Sequence, residues 1–430
     1  MSDRNAQDVP GGSHGEEPLD FAVIGGGAAG FFAALRFAEL RPGAAVAIFE
    51  KGARFLQKVA ISGGGRCNVT HACFDPSALS AHYPRGNREL RGAFHRWQPA
   101  DTVEWFERRG VRLKAEADGR MFPITDSSAT VIDCFLAEAE KSGVVLQQNH
   151  PLRGISAGDA DGVFDLDFGP ERPRVRARAV CLAVGSLKGS PLADALGAMG
   201  LPLVPLVPSL FAFNVTDPRI AGLAGVSHPD AAVRRADGGT PRRGPLLITH
   251  RGFSGPAILR LSAWEARELA RVNHHFAFCI DWLPEQSPDL VRQWIGENRG
   301  RHGASRVRNR RPPQLARRLW ESLVDGCGID AATTWAQLPK PAALALADAL
   351  KNSRFQAAGK TTNKDEFVTC GGLDRTAVDF RTMASRTVPW LYFAGEVLDV
   401  DGVTGGFNFQ AAWTTGHLAA TAAAHGRAGT

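Results

Sequence analysis

The chain has 430 residues, of which 44% are hydrophobic and 22% are charged, and its formal net charge is +6. This length is expected to give more than one domain, and this composition excludes a disordered or fibrous protein. Seven cysteines, an odd number without a regular spacing, argue against a disulfide scaffold and favour a reducing, cytoplasmic location.

The first 18 residues mix charged residues with Gly and Pro, and they are predicted to form a disordered tail rather than a signal peptide. The longest uncharged stretch, 195–216, is long enough to span a bilayer. Pro202, Pro205 and Pro208 would break a helix there. We therefore expect an extended linker or a strand pair at 195–216, and no membrane partner.

A Gly-rich turn links a predicted strand, 21–24, to a predicted helix that ends near residue 40. A second strand, 45–49, then ends in an acidic residue. In a dinucleotide-binding unit the first Gly makes the turn, the second admits a pyrophosphate and the third lets the helix pack on the strand. The acidic residue accepts from a ribose hydroxyl. The residues predicted to bind the cofactor here are Gly25, Gly27, Ala28, Ala29, Gly30, Glu50 and Lys51.

A second Gly cluster, 62–68, contains three consecutive glycines, which allow a backbone to lie close to a ligand and to form an anion-binding nest. Arg66 could pair with a pyrophosphate or stabilise a reduced flavin. Cys67 is either a redox-active thiol activated by Arg66 or a small packing residue, and the lack of an evident resolving cysteine favours packing. The predicted cofactor contacts here are Lys58, Ser62, Gly64, Gly65, Arg66, Cys67 and Asn68. No metal site is predicted.

The middle of the chain changes from mixed to strand-rich to helical character. Helices are predicted at 87–110 and 127–142, strands at 144–148, 163–168 and 174–184, a strand-rich region at 203–282 and a helical region at 288–350. The catalytic residues are not identified by any motif. The candidates are Arg120, His250 and Arg251, which either supply a proton or bind a carboxylate, or lie in solvated turns.

A basic segment, 299–318, contains eight Arg and no acidic residue. Such runs are usually solvated helix faces, and this one has no aromatic residue on which a base could stack. The sequence therefore disfavours a nucleic-acid partner and favours a small-molecule substrate.

The C-terminal part supplies a second half of a cofactor site. Strands end at 184 and 394, and a Gly-Gly pair opens the closing helix, 411–424. An acidic residue at a strand end can hold ribityl or ribose hydroxyls, and helix N–H groups suit the flavin edge that becomes negative on reduction. One nucleotide domain split by a long insertion is typical of FAD. The predicted contacts are Ala183, Gly185, Gly395, Glu396, Gly405, Gly406, Phe407 and Asn408.

The sequence resembles the flavoprotein family named after an uncharacterised Haemophilus protein, which includes bile-acid dehydro-reductases. The segments that carry the resemblance are 25–30, 58–68, 119–123, 249–256 and 391–410. The resemblance implies an α/β fold in which a Rossmann FAD domain of the two-dinucleotide-binding type is interrupted by a β-barrel-like domain and a small helical insertion.

The predicted boundaries are a tail at 1–18, an FAD domain at 19–200 and 373–430, a β-rich insertion at 201–285 with a return strand at 353–372, and a helical insertion at 286–352. The leading hypothesis is an FAD-dependent oxidoreductase that passes hydride from NADH or NADPH to a small organic acceptor such as a conjugated enone. The alternatives are an RNA-associated flavoprotein that uses residues 299–318, and a flavin monooxygenase-like enzyme. The sequence does not predict the oligomeric state.

Overall fold

The computed structural model describes residues 17–157, 162–361 and 368–426. The predicted N-terminal tail, apart from its last two residues, lies outside these ranges. The chain forms two compact units, which we call unit 1 (Met1–Val207 and Val368–Thr430) and unit 2 (Pro208–Phe367).

The strands in chain order are β1 (Phe21–Ile24), β2 (Val46–Phe49), β3 (Thr70–His71), β4 (Leu113–Ala115), β5 (Arg120–Pro123), β6 (Val145–Gln147), β7 (Gly154–Ala157), β8 (Phe164–Asp167), β9 (Val175–Ala177), β10 (Val180–Leu182), β11 (Leu203–Ser209), β12 (Ala212–Asn214), β13 (Ser227–Arg235), β14 (Gly238–Thr249), β15 (Gly252–Ser254), β16 (His275–Asp281), β17 (Ser353–Ala358), β18 (Lys360–Thr361), β19 (Val368–Leu373), β20 (Val378–Asp379), β21 (Ala384–Ser385) and β22 (Leu391–Phe393). The α-helices are α1 (Ala28–Leu40), α2 (Gln57–Gly65), α3 (Pro76–Ser80), α4 (Asn87–Phe94), α5 (Pro99–Glu107), α6 (Ser128–Lys141), α7 (Leu192–Ala198), α8 (Pro256–Trp264), α9 (Ala266–Arg271), α10 (Pro288–Arg301), α11 (Arg317–Gly326), α12 (Lys340–Lys351) and α13 (Phe407–Gly426).

Unit 1 is built on a seven-stranded sheet with the order β20-β21-β22-β10-β1-β2-β6. The five strands from β22 to β6 run parallel, and β20 and β21 add an antiparallel edge. All residues of β1, β2, β10 and β22 are buried, as expected for a parallel sheet covered on both faces. Unit 1 also contains the smaller antiparallel sheets β3-β5-β4 and β7-β8-β9.

Helices α1 and α13 cross at close range, and this contact joins the two chain segments of unit 1. A Cβ at Gly416 would lie 2.6 Å from the carbonyl oxygen of Ala29, so the crossing requires glycine. The Ala-rich faces of both helices allow this approach. The last helix therefore packs directly on the first, which brings the start of α13 to the same sheet as β1.

Unit 2 contains a seven-stranded antiparallel sheet with the order β17-β16-β13-β14-β15-β12-β18. The sequence predicted a β-barrel-like domain here. The structure forms an antiparallel sheet with β17 at one end of the pairing order and β18 at the other. Its strands and the helices α8 to α12 share one hydrophobic core, which includes the buried Trp282, Trp320 and Trp335.

Two regions differ from the sequence predictions in their secondary structure. The start of the uncharged stretch at 195–216 belongs to α7, because apolar residues such as Leu192 and Leu196 bury one face of a short helix there. The strand-rich region at 203–282 also contains α8 and α9. Within the described ranges, none of the helices combines the length and the apolarity that crossing a bilayer requires.

Candidate functional site

Three glycines of the Gly-rich turn between β1 and α1, those of the dinucleotide fingerprint, meet different surroundings. Gly25 has φ +110°, and a Cβ there would lie 2.3 Å from the carbonyl oxygen of Ala183. A Cβ at Gly30 would lie 1.9 Å from the carbonyl oxygen of Gly25. A Cβ at Gly27 would meet no described atom within 4 Å. Close packing therefore requires glycine at Gly25 and Gly30. Gly27 faces open space, as a phosphate-binding turn requires.

The N-terminus of α1 lies directly after the Gly-rich turn. Its N-cap residue, Gly27, provides no side-chain cap for the 13-residue helix. The first N–H groups of a helix have no partner within the helix, and the helix dipole favours negative charge there. The N–H groups at Ala28 and Ala29 thus fit a pyrophosphate group.

Glu50, at the end of β2, is fixed by the backbone of the turn. Its Oε2 accepts from the N–H of Gly26 and its Oε1 from the N–H of Gly52, both at 2.8 Å. These bonds use one lone pair of each oxygen, and the others remain able to accept from the hydroxyls of a ribose. Lys51 is exposed beside it.

A cleft of about 360 Å³ opens at the carboxyl ends of β1 and β2. Its lining residues are Ile24, Gly25, Phe49, Glu50, Lys51, His150, Pro151, Leu152, Arg153, Val184, Ser186, Gly189, Ser190, Pro191 and Leu192. The wall is mainly apolar, with Glu50 at one side. This combination fits the adenosine part of a dinucleotide, whose base is apolar on its faces and whose ribose is polar.

His150 is one of the cleft residues that the sequence analysis missed. Burial lowers the pKa of His150 below its ordinary value, and the nearby Arg172 lowers it further. The ring is therefore neutral at physiological pH and packs 5.8 Å from the ring of Phe49. The sequence signal for His150 as a cleft residue was its position shortly after the predicted strand at β6. Ligands of open α/β sheets bind at the carboxyl ends of the strands.

The double hydrogen bond of Glu50 leads to a testable expectation. In Glu50→Gln, one oxygen is replaced by an NH₂ group that faces a backbone N–H, and the negative charge toward the ribose is lost. We expect FAD affinity to fall by about 10- to 100-fold, or ~1–3 kcal/mol. Titration of FAD into apoprotein measures this, with Glu39→Gln on the outer face of α1 as the matched control. Equal affinities of the two variants would contradict the ribose assignment.

The second Gly cluster forms a kinked end of α2. Ser62 has extended backbone angles, and Gly63 and Gly64 have φ of +59° and +69°. A Cβ at Gly64 or Gly65 would meet no described atom within 4 Å, so the backbone is open on this side. The structure thus leaves room for a ligand beside the glycines, and cofactor contact at this segment stays a prediction.

Arg66 and Arg120 belong to one charged network rather than to two separate functions. Arg66 Nη1 lies 2.7 Å from Glu116 Oε1, and its guanidinium lies 3.9 Å from the ring centroid of Phe122. Arg120 pairs with Glu116 and Asp118, at 2.8 and 2.7 Å. The hydrogen bond that Arg66 donates to Glu116 raises the pKa of Arg66. For Arg66 or Arg120 to bind a pyrophosphate or a substrate, the arginine would have to leave its carboxylate partners.

Cys67 is fully buried, and burial raises the pKa of its thiol to about 12. The redox interpretation is wrong for this environment, because a reactive cysteine needs exposure and a stabilised thiolate. The neighbouring Arg66 does not activate it, since Arg66 points to Glu116. Cys67 packs at the end of the glycine segment with φ +60°.

We expect Cys67 to resist alkylation by iodoacetamide in the native protein at pH 8, because the thiol is both buried and protonated. Peptide mass spectrometry after labelling measures this residue by residue. The partly exposed Cys73 is an internal comparison, and labelling in guanidinium is the control for reactivity of the unfolded chain. Rapid native labelling at Cys67 would restore the redox interpretation.

The strand ends of β10 and β22 lie next to the turn of β1. Gly185 follows β10 with φ +72°, and Gly395 follows β22 with φ +75°. Glu396 forms an ion pair with Lys58 and accepts from the N–H of Thr369 at 2.9 Å. The structure therefore joins Lys58 and Glu396, which are 338 positions apart, at one edge of the sheet.

The start of α13 is more constrained than the sequence predicted. A Cβ at Gly406 would lie 2.4 Å from the carbonyl oxygen of Thr70. In the orientation of the Asn68 side-chain amide that satisfies both of its groups, the amide oxygen accepts from the N–H of Gly406 at 3.0 Å and the NH₂ donates to the carbonyl oxygen of Thr70 at 3.1 Å. The Gly406 N–H therefore has a partner within the protein, which weighs against its facing a flavin, and a cofactor contact at Gly406 stays a prediction. The helix N–H groups that can face a ligand begin at Phe407.

The side chains of Phe407 and Asn408 also have structural partners. The ring of Phe407 is buried and stacks against the rings of His71 and His82, whose centroids lie 4.6 and 4.2 Å away. The amide of Asn408 bonds both the N–H and the carbonyl of Gly402, at 2.8 and 3.0 Å. Both side chains hold the loop before α13 in place, and any cofactor contact of these two residues is made by their backbone.

His250 and Arg251 lie in unit 2, in the exposed turn between β14 and β15. The N–H of Arg251 donates to Thr249 Oγ1 at 3.3 Å, which closes the turn. The described residues contain no group of three or more His, Cys, Asp or Glu side chains that could hold a metal ion.

One edge of one sheet thus collects the predicted cofactor residues that follow β1, β2, β10 and β22. The residues that follow β1, β2, β10 and β22 all lie at the carboxyl ends of parallel strands, which is where dinucleotides bind in open α/β sheets. The residues present fit FAD: an apolar cleft with an acidic ribose acceptor, an open Gly27, and an uncapped helix N-terminus. The fold and the site define an FAD-dependent oxidoreductase of the Rossmann class.

The family is shown by sequence comparison. The family model described as "HI0933-like protein Rossmann domain" matches residues 19–422, and the chain belongs to this family. A ribosomal RNA dihydrouridine synthase of Escherichia coli is 30% identical over 407 residues, with 93% of this chain and 96% of the relative covered. A 3-dehydro-bile acid delta(4,6)-reductase of Clostridium scindens is 28% identical and covers 94% of this chain and 98% of the relative.

A solved structure supports the fold at lower similarity. The 3-ketosteroid-delta4-(5alpha)-dehydrogenase of Rhodococcus jostii superposes with a TM-score of 0.51 at 15% identity. The match covers 99% of this chain and 100% of that chain. This likeness concerns the fold alone.

Proposed function

We propose that the chain is an FAD-dependent reductase that saturates a carbon–carbon double bond conjugated to a carbonyl group, with NADH or NADPH as the electron donor. The observation that carries the proposal is the dinucleotide cradle at the carboxyl edge of the unit 1 sheet, in a chain whose relatives are named for such reductions.

The two relatives share one type of chemistry despite different substrates. A delta(4,6)-reductase of a 3-dehydro-bile acid acts on double bonds conjugated to a ketone. Dihydrouridine differs from uridine by saturation of the C5–C6 bond, which is conjugated to the C4 carbonyl. In both cases the β-carbon gains a hydride and the α-carbon gains a proton, and the donor supplies the electron pair. Bound FAD supplies the hydride-transfer chemistry between donor and acceptor.

The chain's own residues bind and orient the reactants in this proposal. The α1 N-terminus holds the pyrophosphate, Glu50 holds the ribose, and the first N–H groups of α13 stabilise negative charge on the cofactor. His250, Arg251 and Arg120 stay candidates for the proton donor. His250 and Arg251 lie in an exposed turn, which equally fits the alternative of a solvated turn, and the carboxylate partners of Arg120 weigh against that residue.

The donor is the first point to test. The sequence contains no second Gly-rich fingerprint for a nicotinamide domain, so we propose that the nicotinamide binds only transiently. Anaerobic stopped-flow mixing of the FAD-loaded protein with NADH and with NADPH should bleach the flavin absorbance with at least one of them. A flavin that neither nucleotide reduces would exclude the proposed donor.

The acceptor distinguishes the proposal from a monooxygenase-like enzyme. After anaerobic reduction, a conjugated enone should reoxidise the flavin faster than air-saturated buffer does. Reoxidation by oxygen alone, with a hydroxylated product, would support the monooxygenase alternative. We also propose a reducing cytoplasmic location, which is supported by seven cysteines that are all free thiols.

A further inference from the structure

The crevice between the carboxyl ends of β1 and β10 is the place where the strand order of the unit 1 sheet reverses. The chain passes from β1 through α1 to β2 on one side of β1, and β10 and β22 lie on the other side. Ligands of open α/β sheets bind in the crevice at such a reversal. The ion pair between Lys58 and Glu396 joins the two sides of this crevice.

Lys58 is anchored on the side of the Gly-rich turn. The N–H of Leu56 donates to the carbonyl oxygen of Gly26 at 2.8 Å, and the side chain of Leu56 is buried. A Cβ at Gly26 would lie 2.3 Å from the ring of Phe55, so the start of α2 packs directly on the turn. The backbone that carries Lys58 is therefore held beside the turn, whereas its side chain is half exposed.

Glu396 is anchored on the other side, at the end of β10. Its Oε1 accepts from the N–H of Thr369 at 2.9 Å, and the hydroxyl of Thr369 donates to the hydroxyl of Ser186 at 2.7 Å. A Cβ at Gly185 would lie 3.9 Å from Glu396 Oε2, the same oxygen that accepts from Lys58. The carboxylate is thus fixed beside the residues that follow β10, and the side chain of Lys58 reaches it from the β1 side.

Stability alone does not account for this ion pair. An ion pair with an exposed lysine contributes little to the free energy of unfolding, because solvent screens it and the long side chain loses freedom. The segments that carry Lys58 and Glu396 are already held by backbone hydrogen bonds. What distinguishes the pair is its position across the crevice in which a dinucleotide is expected to bind.

The two members of the pair differ in how easily they can move. Glu396 is mostly buried and bonds a backbone N–H, so its carboxylate keeps its place. Lys58 carries its charge on a flexible four-carbon stem, and half of its side chain is already in solvent. The pair can therefore open by rotation of the lysine side chain, without any change in the backbone of either segment.

We propose that Lys58 and Glu396 form a clasp that closes over the middle of a bound FAD and slows its release. The N-terminus of α1, which fits the pyrophosphate, lies on the Lys58 side, and Glu396 on the other side suits ribityl hydroxyls. A cofactor that reaches both must pass the ion pair, and it leaves when Lys58 swings into solvent. The inference rests on FAD as the cofactor and does not depend on the donor or the acceptor proposed above.

The test measures the rate of FAD release from the full-length, FAD-loaded protein. Release is followed by mass spectrometry as the exchange of bound FAD for an excess of isotopically labelled FAD, and binding is followed separately by stopped-flow mixing of apoprotein with FAD. K58M removes the cation of the clasp, and K58R keeps it. K141M is the matched control, since it removes an exposed lysine of α6 that pairs with Glu138 in the same unit.

We expect K58M to release FAD about 5-fold or more faster than K141M at low salt, and K58R to release it at nearly the wild-type rate. In about 1 M NaCl, where the Debye length is about 3 Å, wild type and K58M should release FAD at similar rates. Equal release from K58M and K141M at low salt would overturn the inference. Slower binding by K58M with unchanged release would overturn it too, because Lys58 would then only attract the pyrophosphate.

A double-mutant cycle tests whether Lys58 acts through Glu396. E396Q removes the charge of the carboxylate and so breaks the clasp from the other side. In the E396Q background, K58M should change the release rate by less than about 2-fold, since the pair is already broken. The full effect of K58M in that background would show that Lys58 acts without Glu396 and would overturn the clasp.

The failure of this inference can be told apart from the failure of the proposed function. Reduction of the flavin by NADH or NADPH and its reoxidation by an enone, with release rates that do not depend on Lys58, would overturn only the clasp. Faster release from K58M, in a protein that reduces no conjugated double bond, would support the clasp and overturn the proposed chemistry. A wild-type protein that retains no FAD would overturn both.

Discussion

Gly27→Val is expected to give a folded but colourless protein. Gly27 has φ −96°, which valine adopts readily, and a Cβ there meets no described atom within 4 Å. The fold should therefore tolerate the side chain. The branched side chain fills the space in which the pyrophosphate must approach the backbone, so FAD affinity should fall by about 100-fold or more, or ~2.7 kcal/mol.

The flavin content of purified Gly27→Val and its unfolding midpoint in urea measure the two halves of this prediction. Gly92→Val in α4 is the matched control, since a Cβ at Gly92 also meets open space but lies away from the cradle. Gly30→Val gives the opposite comparison and should disrupt folding, because its Cβ would overlap the carbonyl of Gly25. A yellow Gly27→Val protein with normal flavin content would contradict the phosphate assignment.

Arg85→Ala should be strongly destabilising, because it breaks a buried ion pair. Arg85 is 8% exposed and Asp401 is fully buried, and the guanidinium bonds both carboxylate oxygens of Asp401. Removal of the arginine leaves a buried carboxylate without its cation. We expect a loss of about 3–5 kcal/mol in the free energy of unfolding of unit 1.

The same change should weaken FAD binding, because Asp401 belongs to the loop that leads to Gly405 and α13. The control is Arg108→Ala, which breaks an exposed pair with Glu104 and should cost less than about 0.5 kcal/mol. Urea unfolding of the wild type and the two variants measures the difference. A loss at Arg85 no larger than the loss at Arg108 would show that the buried pair does not hold this loop.

The nucleotide cradle could be predicted from the sequence because its signals are local. The strand, Gly-rich turn, helix and acidic strand end all lie within thirty residues, and each has a fixed spacing. In the structure Gly25 and Gly30 pack against backbone carbonyl groups, and Glu50 accepts from the N–H of Gly26 in the same turn. The kink at Ser62–Gly64 was not predicted, although consecutive glycines rarely continue a helix.

The features that were missed depend on residues far apart in the chain. Arg66 was predicted to pair with a pyrophosphate or to stabilise a reduced flavin, and its partner Glu116, fifty positions away, gave no local signal. The proximity of Asn68 to the N–H of Gly406 gave no local signal either, since it arises only in the folded chain. His150 follows a short strand whose place at the sheet edge is visible only once the strand order is known.

The product of a single turnover tests the central claim most directly. The FAD-loaded protein is reduced anaerobically, freed of excess donor, and mixed with a 3-oxo-4-ene steroid or with a uridine-containing RNA hairpin. Mass spectrometry should show an acceptor that has gained two hydrogens, in an amount equal to the flavin reoxidised. A flavin that stays reduced with both acceptors, or one that is reoxidised without any saturated product, would contradict the assignment of the chain as a reductase of conjugated double bonds.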